Sequence, residues 1–369
     1  MGLIANIIKT EDEDKTLRLN ATEFISTQKK IKMKFLPSEW CEQSAIQLTW
    51  PHAGTDWAYM LDEVTECYLN LAKEISSRQP LIIVTPEPEK VKEQIGDMPN
   101  VTLFKCATND TWARDHGFIT VMTELGPQLV DFRFNGWGQK FASNLDNQIC
   151  RRMAEAQLLN GTYRNCLDFV LEGGSIESDG CGTLLTTSEC LLSPNRNDTL
   201  SKDMIEARLR EEFNLLQIHW LDYGYLAGDD TDSHIDTLAR LCPMDTIVYV
   251  KCTNPEDEHY QELKKMEEQL ATFRTLEGNP YRLLPLPMAD PVIEDGERLP
   301  ATYANFLIMN KAVLYPTYNQ PDNDAQAAEV LRQAFPTREI VGVNCNALIK
   351  QHGSLHCVTM QFPKDVFPI

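Results

Sequence analysis

The chain has 369 residues, 43% of them hydrophobic and 24% charged, with 54 acidic against 34 basic side chains and a formal net charge of −20. Such a composition buries a large core without disulfide staples and excludes wholesale disorder, collagen-like and coiled-coil rods. The acidic balance makes duplex nucleic acid and anionic membrane poor partners and a cationic small molecule a good one.

Eleven cysteines run from Cys41 to Cys357 with no Cys-x-x-Cys pair, so a disulfide framework is not expected and a reducing compartment is. The N-terminal run lacks a basic region before its apolar residues and carries Glu11, Asp12, Glu13 and Asp14. It is therefore not read as a secretory signal. No run approaches the roughly 18 apolar residues of a membrane span, and the expectation is a cytoplasmic protein.

Residues 1–32 are charged and weakly periodic, and are expected to form a loosely packed extension; a single domain is expected over 33–369. Compact sequence begins at MKFLPSEW. The run AIQLTW, a helix near 59–77 and LIIVTP come next. From Trp112 the order repeats. WARDHGFITV opens a unit, followed by the strand QLVDFRF, a helix around 143–159 and LDFVL. EGGSIES, GTLLTT, a helix near 199–213 and QIHWL make the next. HIDTLAR, TIVYVKC, a helix near 256–273 and YRLLPL make a third. TYANFLIM, AVLYPTY, a helix near 323–334 and EIVGVN make a fourth. The stretch 285–300 is expected to be a loop between two of these runs. LHCVTMQF opens a fifth unit that runs out of chain, and AIQLTW, its helix and LIIVTP would complete it. Unit openings at Trp112, Glu172, His234, Tyr303 and Cys357 are spaced by 60, 62, 69 and 54 residues. A near-constant interval of this kind points to an internally repeated, closed α/β architecture.

Each opening strand carries a polar or reactive group: Trp112 with Asp115, Glu172, His234 with Asp236, Asn305, and Cys357. Around an axis, these would meet in one pocket holding a thiol, an imidazole and three carboxylates. Carboxylates crowded beside a thiol repel one another unless a cation joins them. A guanidinium suits that place, because its planar fork of N–H donors matches carboxylates two at a time and its face stacks on an indole. It would also favour the thiolate.

The motifs NDTWARDHG (109–117), DFRFNGWG (131–138), LEGGSIESDG (171–180), DSHIDTLAR (232–240), TYANFLIMN (302–310) and HGSLHC (352–357) resemble, in content and order, those of the guanidino-modifying penteins. More narrowly, the chain is similar to the agmatine deiminases and the bacterial peptidylarginine deiminases. The resemblance implies an α/β fold, a five-bladed propeller of ββαβ units with pseudo-fivefold symmetry. It implies that Cys357 is the nucleophile and His234 the general acid and then base. Asp115 and Asp236 would grip the guanidinium, with Trp112 lining its site. Glu172 would orient His234 and help hold the cation, and Asn305 would support the histidine.

The implied chemistry is hydrolysis of a guanidino C–N bond through a covalent thiouronium, with no metal or organic cofactor. Relatives often form homo-oligomers. The stretch DFRFNGWGQKF has Arg133 and Lys140 but no close arginine pair for a substrate carboxylate. Agmatine, which would give N-carbamoylputrescine, is therefore expected, with free arginine or peptidylarginine as the alternative and a non-catalytic guanidino-binding protein behind both. Three residues depart from the family pattern and are expected near the far end of the pocket: Gln139, His352 and Met360. His352, His356 and Cys357 have a spacing that also invites a metal reading, and Lys350 would be the lysine of a Cys-dependent amidase. Neither is supported by a motif.

Overall fold

The structure, a computed structural model, describes residues 34–368. The expected extension over 1–32 lies outside the described residues. Five sheets share one plan: a first strand pairs antiparallel with a second, which pairs parallel with a third. They are Ile119–Thr123, Gly126–Arg133 and Thr162–Val170; Ile176–Ser178, Thr183–Thr187 and Gln217–Leu221; Ala239–Cys242, Thr246–Lys251 and Arg282–Pro287; Leu307–Ile308, Ala312–Thr317 and Glu339–Asn344. The fifth joins the two ends of the described chain, with Thr359–Pro363 antiparallel to Gln43–Thr49 and the latter parallel to Leu81–Thr85. The strand–strand–helix–strand repeat read from the sequence is therefore present, and the fifth unit is completed from the N-terminal side.

A parallel pair needs a crossover. Here the helices Leu61–Ser76, Ile149–Glu155, Lys202–Phe213, Tyr260–Leu270 and Pro321–Ala334 supply it. Leu61–Ser76 buries Val64, Tyr68, Leu71 and Ile75, spaced three and four apart, so one stripe meets the core. Ser201 caps Lys202–Phe213 by accepting from the Met204 N–H, and Asn214, in the left-handed region with φ 55°, ends it.

Two expectations on elements are corrected. A helix Pro88–Ile95 and a strand Val101–Lys105 extend the fifth sheet beyond LIIVTP. The stretch 285–300 is not all loop: it begins inside Arg282–Pro287 and holds the hairpin Ile293–Glu294 with Glu297–Arg298. The short strand Lys34–Phe35 lies antiparallel to Ile119–Thr123.

Charged side chains stitch neighbouring sheets together. Arg240, fully buried on the first strand of the third sheet, hydrogen-bonds to Glu177 of the second. It also donates to the Ala304 and Phe306 carbonyls beside the fourth, at 3.0 and 2.7 Å, and to Glu39 at 2.7 Å.

Candidate active site

The expected site residues stand in short segments just before the first strands, not within those strands as the sequence pattern suggests. Trp112 and Asp115 flank and occupy a helical turn, Ala113–His116. Glu172 precedes Gly173–Ser175, and His234 precedes Ile235–Leu238, which carries Asp236. Asn305 and Cys357 lie in turns before Leu307–Ile308 and Thr359–Pro363. A strand would send Trp112 and Asp115, three apart, to opposite faces, whereas one helical turn keeps such a pair on the same side.

Gly174 shows how closely these turns meet. A Cβ built on it would lie 2.6 Å from His234 Nδ1, 3.0 Å from Asp115 Oδ1 and 3.1 Å from Asp236 Oδ2. Its own N–H donates to Asp115 Oδ1 at 2.9 Å, and the Trp137 indole N–H donates to Asp115 Oδ2 at 2.9 Å. Cys357 Sγ lies 3.8 Å from Asp236 Oδ2. The Arg114 N–H, next to Asp115, donates to the Cys357 carbonyl at 3.1 Å and ties the first turn to the last. Asn305 Oδ1 accepts the His356 N–H at 2.8 Å, which turns its Nδ2 toward Cys357 Sγ, 3.2 Å away. Asn305 thus contacts the turn that carries Cys357, and no hydrogen bond from it to His234 is found among the described residues.

All seven expected site residues are buried. Burial lowers the basicity of His234, but Asp115, Cys190 and Glu172 outweigh it, and the imidazole titrates well above its ordinary range. Burial, then Asp236 and Asp115, push the Cys357 thiol well up. Burial raises Asp115 to about 6, with His234 pulling the other way. Burial acts in the same sense on Asp236, yet the hydrogen bond and charge of His356 hold it below the usual carboxylate range. The site at neutral pH therefore pairs a protonated imidazole with carboxylates and a thiol that lacks its own countercharge. Three buried atoms, Asp236 Oδ1 and both His234 ring nitrogens, have no hydrogen-bond partner among the described residues. Each such atom costs about 1–3 kcal/mol unless something pairs with it.

Glu172 is engaged from one side by a residue the sequence did not single out. Arg196 Nε lies 3.0 Å from both Glu172 oxygens, and its other nitrogens reach Asp232 at 2.5 Å and the Thr231 carbonyl at 2.8 Å. Glu172 still lies within 4.8 Å of His234 and Cys190. The FNGWG stretch held another signal: Gly136, Trp137 and Gly138 all have positive φ (67°, 53° and 86°), a run that only flanking glycines make affordable. That bend delivers the Trp137 indole to Asp115.

A cavity of about 360 Å³ leads to Asp115 and Cys357 between Trp112, Trp137 and Phe141. Asp56, Asp110 and Asp230 also line it, and no lysine or arginine among the described residues does. Burial raises Asp110 to about 7 and Asp230 to about 6, with His352 and Lys140 pulling Asp230 the other way. Of the three residues that depart from the resembled pattern, His352 lines this cavity. Gln139 is exposed, and Met360 lines a separate cavity beyond Gly173, of about 560 Å³, which reaches neither Cys357 nor His234.

His352 hydrogen-bonds to the Gly228 carbonyl at 2.7 Å and His356 to Asp236 at 2.7 Å, so the two histidines have separate partners. Lys350 pairs with Glu63 and Glu294. Two groups, Glu172–Cys190–His234 and Glu39–Glu177–His356, bring metal-ligand atom types within 4.8 Å of one another. In both, buried arginines (Arg196; Arg114 and Arg240) already supply positive charge to the carboxylates. No helix among the described residues is long and apolar enough to cross a membrane.

The sequence profile of the Porphyromonas-type peptidyl-arginine deiminase matches residues 35–363. The agmatine deiminase of Pseudomonas fluorescens is 31% identical, over 89% of this chain and 95% of its own length. The substrate-bound agmatine deiminase of C. jejuni is 40% identical with a TM-score of 0.85, covering 90% of this chain and 97% of that one. A Porphyromonas gingivalis structure provisionally named an arginine deiminase is 50% identical with a TM-score of 0.87, covering 91% and 100%. The chain's five-sheet α/β fold is the fold of these deiminases, and the chain belongs to the Porphyromonas-type peptidyl-arginine deiminase family.

Proposed function

We propose that the chain hydrolyses agmatine to N-carbamoylputrescine and ammonia through a covalent thiouronium on Cys357. The observation that carries this reading is the meeting of Cys357, His234, Asp115 and Asp236 around Gly174, at the foot of an acidic cavity that no lysine or arginine among the described residues lines. A guanidinium there meets carboxylate oxygens on two sides, Asp236 Oδ1 among them. A primary ammonium at the far end meets Asp56, Asp110 and Asp230. A substrate carboxylate would meet the same three acids, which disfavours arginine.

The guanidinium's charge offsets Asp115 and Asp236 and so favours the Cys357 thiolate. Sγ bonds to the guanidinium carbon, and the C–N electron pair leaves as the amine takes a proton from the His234 imidazolium. His234, now neutral, accepts a proton from water as its oxygen attacks the thiouronium carbon. The C–S pair returns to sulfur and the ureido product leaves. One residue acts as acid and then base because its two proton transfers run in opposite directions.

Each of the five sheets sends its first turn to this centre, which supports a five-bladed propeller of ββαβ units, built as one domain over 33–369. The acidic surface and the absence of membrane-length helices among the described residues support a cytoplasmic enzyme without nucleic-acid or membrane partners. Homo-oligomers are in keeping with this reading.

Two substitutions test it. Gly174→Ala drives a methyl into His234, Asp115 and Asp236, and kcat/KM for agmatine is expected to fall about 100-fold. Wild-type activity in a folded Gly174→Ala protein would remove this cluster from the chemistry. Asp110→Asn with Asp230→Asn is expected to lower kcat/KM for agmatine about tenfold or more, by weakening charge attraction to the terminal ammonium. Butylguanidine, with no ammonium, should change far less. Equal losses on both substrates would place the ammonium elsewhere.

A further inference from the structure

His356 immediately precedes Cys357, is fully buried, and takes no part in the bond changes above. Its Nδ1 lies 2.7 Å from Asp236 Oδ2, and its Nε2 lies 2.9 and 3.0 Å from the two Glu39 oxygens. Arg240 Nη2 lies 3.0 Å from the same Nε2 and 2.7 Å from Glu39. The Asp236 carboxylate can only accept, so the ring carries a proton on Nδ1 and donates it to Asp236, while Glu39 and Arg240 share the Nε2 edge. Burial, Arg114 and Arg240 lower the ring's basicity, and Glu39 and Asp236 oppose them. Glu39 is itself fixed by Arg114 at 2.9 Å and by Gln361 at 3.0 Å. The imidazole is thus held from behind by a charged frame drawn from several distant segments.

The bond to Oδ2 has two consequences for Asp236. It leaves Oδ1, buried and otherwise unpartnered, as the oxygen available to a guanidinium. It also draws charge from the oxygen that accepts from the Cys357 thiol at 3.8 Å, so the carboxylate holds the thiol proton less firmly than it would without His356. We infer that His356 is a positioning residue: through Nδ1 it locks the Asp236 carboxylate in the orientation that binds the guanidinium and loosens that carboxylate's hold on the Cys357 thiol, with Glu39 and Arg240 holding the ring at Nε2. This rests on the guanidino-hydrolase reading for its kinetic consequence, but not for its effect on the thiol.

Asparagine places an N–H donor where His356 has Nδ1, and glutamine places one where it has Nε2. The test compares His356→Asn with His356→Gln and wild type. It reads melting temperature, kcat and KM for agmatine, and the rate of iodoacetamide labelling at Cys357 followed on the Cys357 peptide. His356→Asn is expected to stay within about tenfold of wild type in kcat/KM and to label at a similar rate. His356→Gln, at a similar melting temperature, is expected to lose about 100-fold, mostly as a rise in KM, and to label Cys357 about tenfold more slowly. Equal loss in both variants, or activity that simply follows melting temperature, overturns the inference and leaves His356 a packing residue. If wild type releases no ammonia from any guanidino compound, the proposed reaction fails. The labelling contrast between the two variants still decides the role of His356.

Discussion

Cys357→Ser is expected to lower ammonia release from agmatine by about four orders of magnitude or more while leaving the fold and agmatine binding intact. A serine hydroxyl is a far weaker nucleophile than a thiolate, and the guanidinium that eases deprotonation of a thiol is not enough for an alcohol. The surroundings do not depend on the sulfur: Asn305 Oδ1 accepts from the His356 and Cys357 backbone N–H groups in either case. Steady-state kinetics with calorimetric binding of agmatine checks this. Residual turnover within tenfold of wild type would move the nucleophile elsewhere, and Cys190, beside His234, would be the next residue to test.

His234→Gln is expected to lower kcat by a factor of about 10² to 10⁴, because both proton transfers lose their carrier. Intact-mass measurement after mixing with agmatine separates the steps. Loss of the acid blocks ammonia departure, so no thiouronium mass should build up; a large accumulation would confine His234 to the hydrolytic step. The acid side of the pH profile belongs to another group. Asp115 titrates near about 6 in the free protein, raised by its burial. As pH falls through that value it becomes neutral and loses its charge-assisted grip, so kcat/KM should fall on the acid side. In Asp115→Asn that component of the limb should vanish together with most of the activity, leaving the component set by Asp110 and Asp230.

The repeat was legible because each unit writes its strands as short apolar runs and its helix as a polar, periodic one. Tyr260–Leu270, with Leu263, Met266 and Leu270 buried and charges between, is an example. Val101–Lys105 was not legible, since its residues are only half-buried and carry no clean alternation. The candidate set was legible as residue types recurring at the unit openings. Its local form was not: WARDHG contains nothing apolar enough to distinguish a helical turn from the start of a strand. The arginine framework was hidden for a different reason. Arg196, Arg240 and Glu39 look like ordinary surface charges in their own segments, and are buried by partners far away in sequence. Glu39 and His356 stand 317 residues apart. Periodicity carries no trace of such pairs. The role of Asn305 was shifted for the same reason, because only the fold places it against Cys357.

The most direct measurement of the central claim is a side-by-side assay of the purified protein, with EDTA present, on agmatine, free arginine and an arginine peptide. It reads ammonia and ureido product together, with Cys357→Ser as control. The account predicts equimolar ammonia and N-carbamoylputrescine from agmatine, abolished in Cys357→Ser, and a kcat/KM at least about 100-fold lower for both carboxylate-bearing or peptide substrates. Preferred turnover of arginine or the peptide would contradict the reading of Asp56, Asp110 and Asp230 as an ammonium site. No ammonia from any of the three would contradict the hydrolase itself.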